Sequence, residues 1–281
     1  MCSEDPVTHP LPKAMLVDMD GTVLSDGLRR DILLQVALKH EPELGGYPAA
    51  QLAGRLDAAL DAFWSDPERH KIARFGTAAA RLGVIAEAFA ATGMQALTPG
   101  LAERFTHRFI TAREEATVIF PGAREGLQGL RDLGVRLALI TNGGADTQRP
   151  KIERFDLAPL FDHIQIEGEV GFGKPEAQAY RHAMEALGAE PHETWIVGDH
   201  LEWEVAAPQR LGLRAVWYDG HGQGLPLGTT TVPDQIIRSF LMIPDDPGLV
   251  RLGAQGRHGV VIGLSLRFAK ADLAFDLDMV E

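Results

Sequence analysis

The sequence predicts an α/β protein: a parallel sheet covered by helices on both faces, with a helical segment inserted after the first strand. Three observations support this. From about residue 120 to 220, short apolar runs of strand length alternate with helix-length segments. An isolated apolar run, Met15-Leu16-Val17, stands well ahead of them. Between the two lies an alanine-rich stretch, residues 28–117, with helical periodicity and few strand-like segments.

The elements follow in order. Met15-Leu16-Val17 reads as a buried strand that stops at Asp18, with Gly21 marking a turn. Within the insert, Leu52, Leu56, Leu60 and Phe63 recur at helical spacing, as do Leu101, Phe105 and Phe109. The texture changes again at Phe120-Pro121-Gly122. A helix over 123–133 is expected to bury Leu127, Leu130 and Leu133, and Val135–Ile140 reads as a strand ended by Thr141-Asn142-Gly143-Gly144. Then come a helix through Ile152, a short strand near His163–Ile166, a helix over about 176–187 and a strand at 194–197. A helix over about 203–211 and a strand at Arg214–Tyr218 complete the pattern. Residues 13–27 and 118–240 therefore form the α/β core, 28–117 the helical insert and 241–281 a C-terminal extension without recognisable site chemistry. In such sheets functional groups gather beyond the carboxyl ends of the strands, and Asp18, Thr141 and Asp199 each stand at one.

Composition narrows the partners. With 45% hydrophobic and 23% charged residues in 281, the chain has the make-up of a globular protein, and no apolar run reaches membrane-spanning length. The net charge of −12 argues against nucleic acid or an anionic membrane as the main partner, but not against a small phosphorylated substrate held by a local basic pocket and a metal. Cys2 is the only cysteine and the first residues lack a secretory pattern, so a cytoplasmic location is expected. Monomer and homodimer both stay open.

Four short segments carry chemistry. In "DMDGT", Asp18 and Asp20 sit two apart, so an extended backbone puts both on one face. Two carboxylates in one pocket can serve as an ionised nucleophile and a general acid/base, with Mg²⁺ neutralising a phosphate under attack. The same string also suits an Asp-turn. "ITNGG" offers the Thr141 hydroxyl, the Asn142 amide and the N–H groups around Gly143 to phosphate oxygens, although an ordinary strand-to-helix loop has the same composition. "GFGKPE" supplies Lys174, which in this setting would steady phosphate charge or would simply be solvated. Gly168 to Lys174 also matches the first seven positions of a nucleotide-binding loop, but Pro175 replaces the required hydroxyl residue. In "VGDHLEWEV", Asp199 is a metal-ligand candidate with acids nearby, or the acidic first turn of a helix. The ten histidines show no paired metal-ligand spacing, and His200 reads as a pocket-wall residue.

The ordered set Asp18-Met19-Asp20-Gly21-Thr22, Thr141-Asn142-Gly143, Lys174-Pro175 and Gly198-Asp199 resembles the haloacid dehalogenase superfamily, and specifically its phosphatase-like members with a helical cap, such as those resembling phosphoglycolate phosphatase. The resemblance covers about residues 13–240. It implies a Rossmann-like doubly wound parallel sheet with its first strand central. It further implies Asp18 as nucleophile forming an aspartyl-phosphate, and Asp20 as general acid and then base. Mg²⁺ would be held by Asp18, the Asp20 backbone carbonyl and Asp199. Thr141, with Asn142 and Gly143, would bind the phosphoryl group, and Lys174 would stabilise that group and Asp18. The insert would be the cap that closes over the substrate. Dehalogenating members lack the second acid, since halide needs no proton donor, so Asp20 favours phosphate-ester hydrolysis. One departure stands out: the family's second acid after Asp199 is an Asp, here Glu204. That residue is expected beside the metal site, bonding a metal-bound water or pairing with Lys174. A phosphomutase or a non-catalytic binding protein on the same scaffold stays open as an alternative. Among the charged cap residues, Arg55, His70, Arg74 and Arg113 are each as well explained by a solvated helix face as by substrate contact.

Overall fold

The computed structural model describes residues 11–93 and 99–243; the expectation for the C-terminal extension falls, from residue 244 on, outside the described residues. Strand β1 (Ala14–Val17) is buried along its whole length, as its unbroken apolar sequence requires when helices cover both faces. It lies inside a six-stranded sheet with β4 (Arg136–Thr141), β5 (His163–Ile166), β6 (Thr194–Gly198), β7 (Arg214–Tyr218) and β8 (Gln235–Ile237), in the order β5-β4-β1-β6-β7-β8. Every pairing in it is parallel. Val17 pairs with Leu139 of β4 and with Val197 of β6, so these three strands run out at one level.

Alternation along each strand sorts the core into two layers. Met15, Val17, Leu137, Leu139, Trp195 and Val197 join one cluster, together with Leu127 and Leu130 of α6 (Ala123–Asp132). Ala14, Leu16, Ala138, Ile140 and Ile196 face the other way, onto Tyr180, Ala183, Met184 and Leu187 of α9 (Ala177–Leu187). Each large side chain so removed from water contributes roughly 1.5–3 kcal/mol.

Between β1 and β4 the chain forms α1 (Arg29–Lys39), α2 (Ala49–Trp64), α3 (Pro67–Ala73), α4 (Thr77–Ala90) and α5 (Leu101–Ala116). Of these, α1, α2, α4 and α5 share an apolar cluster of their own, which includes Leu52, Leu56, Leu60, Phe105 and Phe109. A two-stranded antiparallel ribbon, β2 (Leu24–Ser25) with β3 (Val118–Ile119), draws the entry and exit of the insert together. No helix among the described residues is long and apolar enough to cross a membrane.

Some elements differ from the sequence expectation. β8 adds a sixth strand; only Ile237 of its three residues is buried, so no apolar run announces it. Leu133 follows the end of α6 and is 40% exposed, so it does not join Leu127 and Leu130 in the core. The expected helix over 203–211 starts earlier and wider, as a π-helical turn Leu201–Ala206 that runs into a short α10 (Ala207–Gln209). Pro208 has no N–H to return to the carbonyl of Glu204, so ordinary α pairing is lost there. Such turns recur at functional sites, and this one carries Glu204 into the interior.

Candidate active site

Asp18 leaves the central strand and is 7% exposed. Its Oδ2 accepts a hydrogen bond from the Thr22 hydroxyl at 3.1 Å, and its Oδ1 is bonded by the Lys174 ammonium. Lys174, 1% exposed, reaches this point from the loop after α8 (Glu167–Val170). Its Nζ also lies 2.7 Å from Glu204 Oε1. Glu204 Oε2 accepts the His200 backbone N–H at 2.9 Å, closing the turn after β6. This close folding needs a glycine: a Cβ on Gly198 would lie 2.0 Å from Glu204 Cγ. Gly21 is needed for two reasons, a φ of +85° and the Asp199 carboxylate, whose Oδ2 would be 2.3 Å from a Cβ there.

Asp20 sits in a different setting. Lys151 Nζ donates to its two oxygens at 2.8 and 2.9 Å, and Gln148 Nε2 donates at 2.9 Å. Gln148 also bonds the Thr141 hydroxyl at 2.7 Å, tying the ends of β1 and β4 together. Both donors lie on α7 (Ala145–Arg154), and neither was picked out from the sequence. Their signal was the i, i+3 spacing on the helix that opens immediately after Thr141-Asn142-Gly143-Gly144.

The polar groups of "TNGG" have several partners. Thr141 lines the cavity. The Asn142 amide clamps the Lys174 backbone, donating to its carbonyl at 2.7 Å and accepting its N–H at 2.9 Å. The Gly143 N–H donates to buried Glu167 at 3.1 Å. The Asn142 side chain thus fixes the Lys174 loop and the Gly143 N–H is engaged by Glu167, while both residues also line the cavity. Arg74, at the end of α3, ion-pairs with Glu167, both almost fully buried. Arg74, His70 and Arg113 line the cavity between the insert and the strand ends; Arg55 does not. The cavity measures about 460 Å³, the scale of a small metabolite.

The electrostatics follow from this packing. Burial raises the Asp18 carboxyl to about 6, against the opposing pull of Lys174. Burial also opposes the charge on Lys174, but the carboxylates of Asp18 and Glu204 outweigh it and hold the ammonium protonated. At Asp20 desolvation by the cavity walls is outweighed by Lys151 and Gln148, so its carboxyl is held below its ordinary value. Asp199 opens onto the cavity, yet its enclosure and then the charges of Asp18 and Glu204 push it well above the usual carboxylate range.

A divalent cation fits this donor set. Asp18, Glu204 and Asp199 crowd one corner with a single ammonium, and Asp199 has no cationic partner among the described residues. Among those residues no three His, Cys, Asp or Glu side chains form a metal cage. Mg²⁺ does not need one, since it is commonly held by one or two carboxylates and keeps several waters.

Comparison with known proteins agrees with this architecture. Residues 12–212 match the model of a family described as haloacid dehalogenase-like hydrolase. The chain is 32% identical over 227 residues to the phosphoserine phosphatase of Thermus thermophilus, covering 74% of this chain and 88% of that protein. A shorter match, 38% identical over 111 residues to rat N-acylneuraminate-9-phosphatase, spans 39% of this chain and 44% of that relative. Among solved structures, the magnesium-bound HAD hydrolase YfnB of Bacillus subtilis superposes with a TM-score of 0.63 at 19% identity, over 84% of this chain and 98% of the other, and shares the fold. With a family match across most of the chain and a near-full-length relative, the protein belongs to the haloacid dehalogenase-like hydrolases.

Proposed function

We propose that the protein is a Mg²⁺-dependent phosphatase that hydrolyses a small phosphorylated metabolite through an aspartyl-phosphate on Asp18. The observation that carries this reading is the contrast between two carboxylates facing one cavity. Asp18 is buried against Lys174, while Asp20 is held by Lys151 and Gln148. Two carboxyl groups in unlike environments can take unlike roles; without a cation the Asp18 carboxyl is the raised one, and a bound Mg²⁺ would lower it toward the ionised form that a nucleophile needs.

In this reading Asp18 attacks phosphorus, and Lys174 and the Thr141 hydroxyl bind the oxygens of the transferring group. Glu204 and the Asn142 clamp keep Lys174 in place. Asp18, the Asp20 carbonyl and Asp199 would hold Mg²⁺, which supplies charge neutralisation while two negative groups approach each other. Asp20 carries a proton to the leaving oxygen and then draws one from the water that cleaves the acyl-phosphate. Before substrate enters, Lys151 favours its ionised form. A phosphate ester beside it adds negative charge, raising its carboxyl and favouring the protonated form needed for the first step. The α1–α5 insert would act as the cap that excludes water. An acid at position 20 is surplus to carbon–halogen cleavage, where the leaving halide takes no proton, and this weighs against a dehalogenase.

The test is hydrolysis of p-nitrophenyl phosphate with and without Mg²⁺, by the native protein and by Asp18→Asn. Activity that needs Mg²⁺ and falls by at least about 10³-fold in the variant supports the assignment. Equal activity in the two proteins rules out Asp18 as the nucleophile.

A further inference from the structure

Four arginines line the cavity from the insert side, and three are already matched. Arg29 donates to Asp57 at 2.6 Å, Arg74 pairs with Glu167, and Arg113 pairs with Asp26. The fourth, Arg81 on α4, has no hydrogen bond and no ion pair with any described residue, and its Nε is buried without a partner. Asp20 and Glu114 are close enough for their charges to act on it, as is the like charge of Arg29, but neither acid bonds it. A guanidinium cannot shed its proton to escape this setting, so an enclosed one without an acceptor is unfavourable until an anion arrives.

The transferring phosphoryl group has its own station at Asp18, Lys174 and Thr141. Arg81 lines the same cavity as Asp20, the group assigned to the leaving oxygen, and lies within reach of its charge. An anion bound by Arg81 would therefore belong to the leaving group. A planar carboxylate matches the guanidinium fork and brings one charge. A second phosphate would bring up to two, into a region where Asp20 and Glu114 already act.

We propose that Arg81 is the docking point for a carboxylate on the leaving group, so that the substrates are phosphate esters of small hydroxy acids. This rests on the phosphatase reading above and names the substrate class of that same site. Arg81 is then the residue that distinguishes such esters from phosphates of neutral alcohols.

The experiment compares 2-phosphoglycolate with ethyl phosphate, which differ only by carboxylate in place of methyl, and adds the bisphosphate of ethane-1,2-diol as a third arm. The expected result for the native enzyme with Mg²⁺ is a kcat/KM at least tenfold higher for 2-phosphoglycolate than for ethyl phosphate. In Arg81→Gln that ratio is expected to collapse to within threefold of unity, and in Arg81→Lys to recover in part. A native ratio near or below one overturns the proposal without recourse to any variant. So does an Arg81→Gln protein that loses both activities equally, the mark of a structural role. Preference for the bisphosphate over 2-phosphoglycolate overturns the choice of carboxylate. Failure to hydrolyse any of these or p-nitrophenyl phosphate would instead strike the phosphatase reading, a result separable from loss of selectivity alone.

Discussion

Replacing Glu204 by glutamine probes the position where this chain departs from the usual second acid of its family. The two carboxylate oxygens both face donors: Oε1 is 2.7 Å from the Lys174 ammonium, and Oε2 accepts the His200 N–H at 2.9 Å. Glutamine has nearly the same shape but only one acceptor oxygen. Whichever way its amide turns, its NH₂ faces a donor, and the charge that balances Lys174 is gone. Glu204 is 1% exposed, so water cannot repair the mismatch. Breaking one side of a buried ion pair costs about 3–5 kcal/mol. At about 2–4 °C per kcal/mol for a chain in this size range, Glu204→Gln is expected to lower the melting temperature by roughly 6–20 °C. Thermal unfolding followed by circular dichroism measures this directly. A variant melting within 1 °C of the native protein refutes the claim that Glu204 supports Lys174. Glu204→Asp makes the companion case: with one methylene fewer, the carboxylate cannot span both partners, and a smaller loss in the same direction is expected.

Other expectations follow from the same geometry. Asp20→Asn is expected to slow hydrolysis by about 10²–10⁴-fold, more for ethyl phosphate than for p-nitrophenyl phosphate, whose leaving group needs less protonation. Equal losses on the two esters in steady-state kinetics would contradict a proton-transfer role. Gly198→Ala puts a methyl where Glu204 Cγ lies 2.0 Å away. That overpacking is expected to cost about 1–3 kcal/mol in denaturant unfolding and to reduce turnover by shifting Lys174, and an unperturbed variant would show that the turn after β6 yields freely. Mg²⁺ at a hundred times its dissociation constant is expected to stabilise the fold by about 2.7 kcal/mol, with EDTA reversing the gain. In Asp199→Asn the shift should largely vanish; if it persists in full, the cation binds elsewhere.

The alternation of apolar runs and helical periods was enough to set the α/β class and the gathering of Asp18, Thr141 and Asp199 at strand ends, while the central place of the first strand came from the family resemblance alone. Those features are local or follow from the order of elements, because a strand buried on both faces must be apolar throughout and a parallel sheet must end its strands on one side. What the sequence left open depends on partners distant in the chain. Lys151 and Gln148, 131 and 128 positions away along the chain, approach Asp20 only because α7 opens just after β4, which pairs with β1. Asn142 and Gly143 read as phosphate donors by type, and the fold adds what the sequence could not show: the Asn142 side chain is bonded to Lys174 and the Gly143 N–H to Glu167, since buried polar groups must be paired. Arginines 29, 74, 81 and 113 are equivalent as letters in the sequence. Tertiary structure gives three of them a carboxylate and leaves Arg81 without one among the described residues, because whether a charge is matched depends on which elements meet around it.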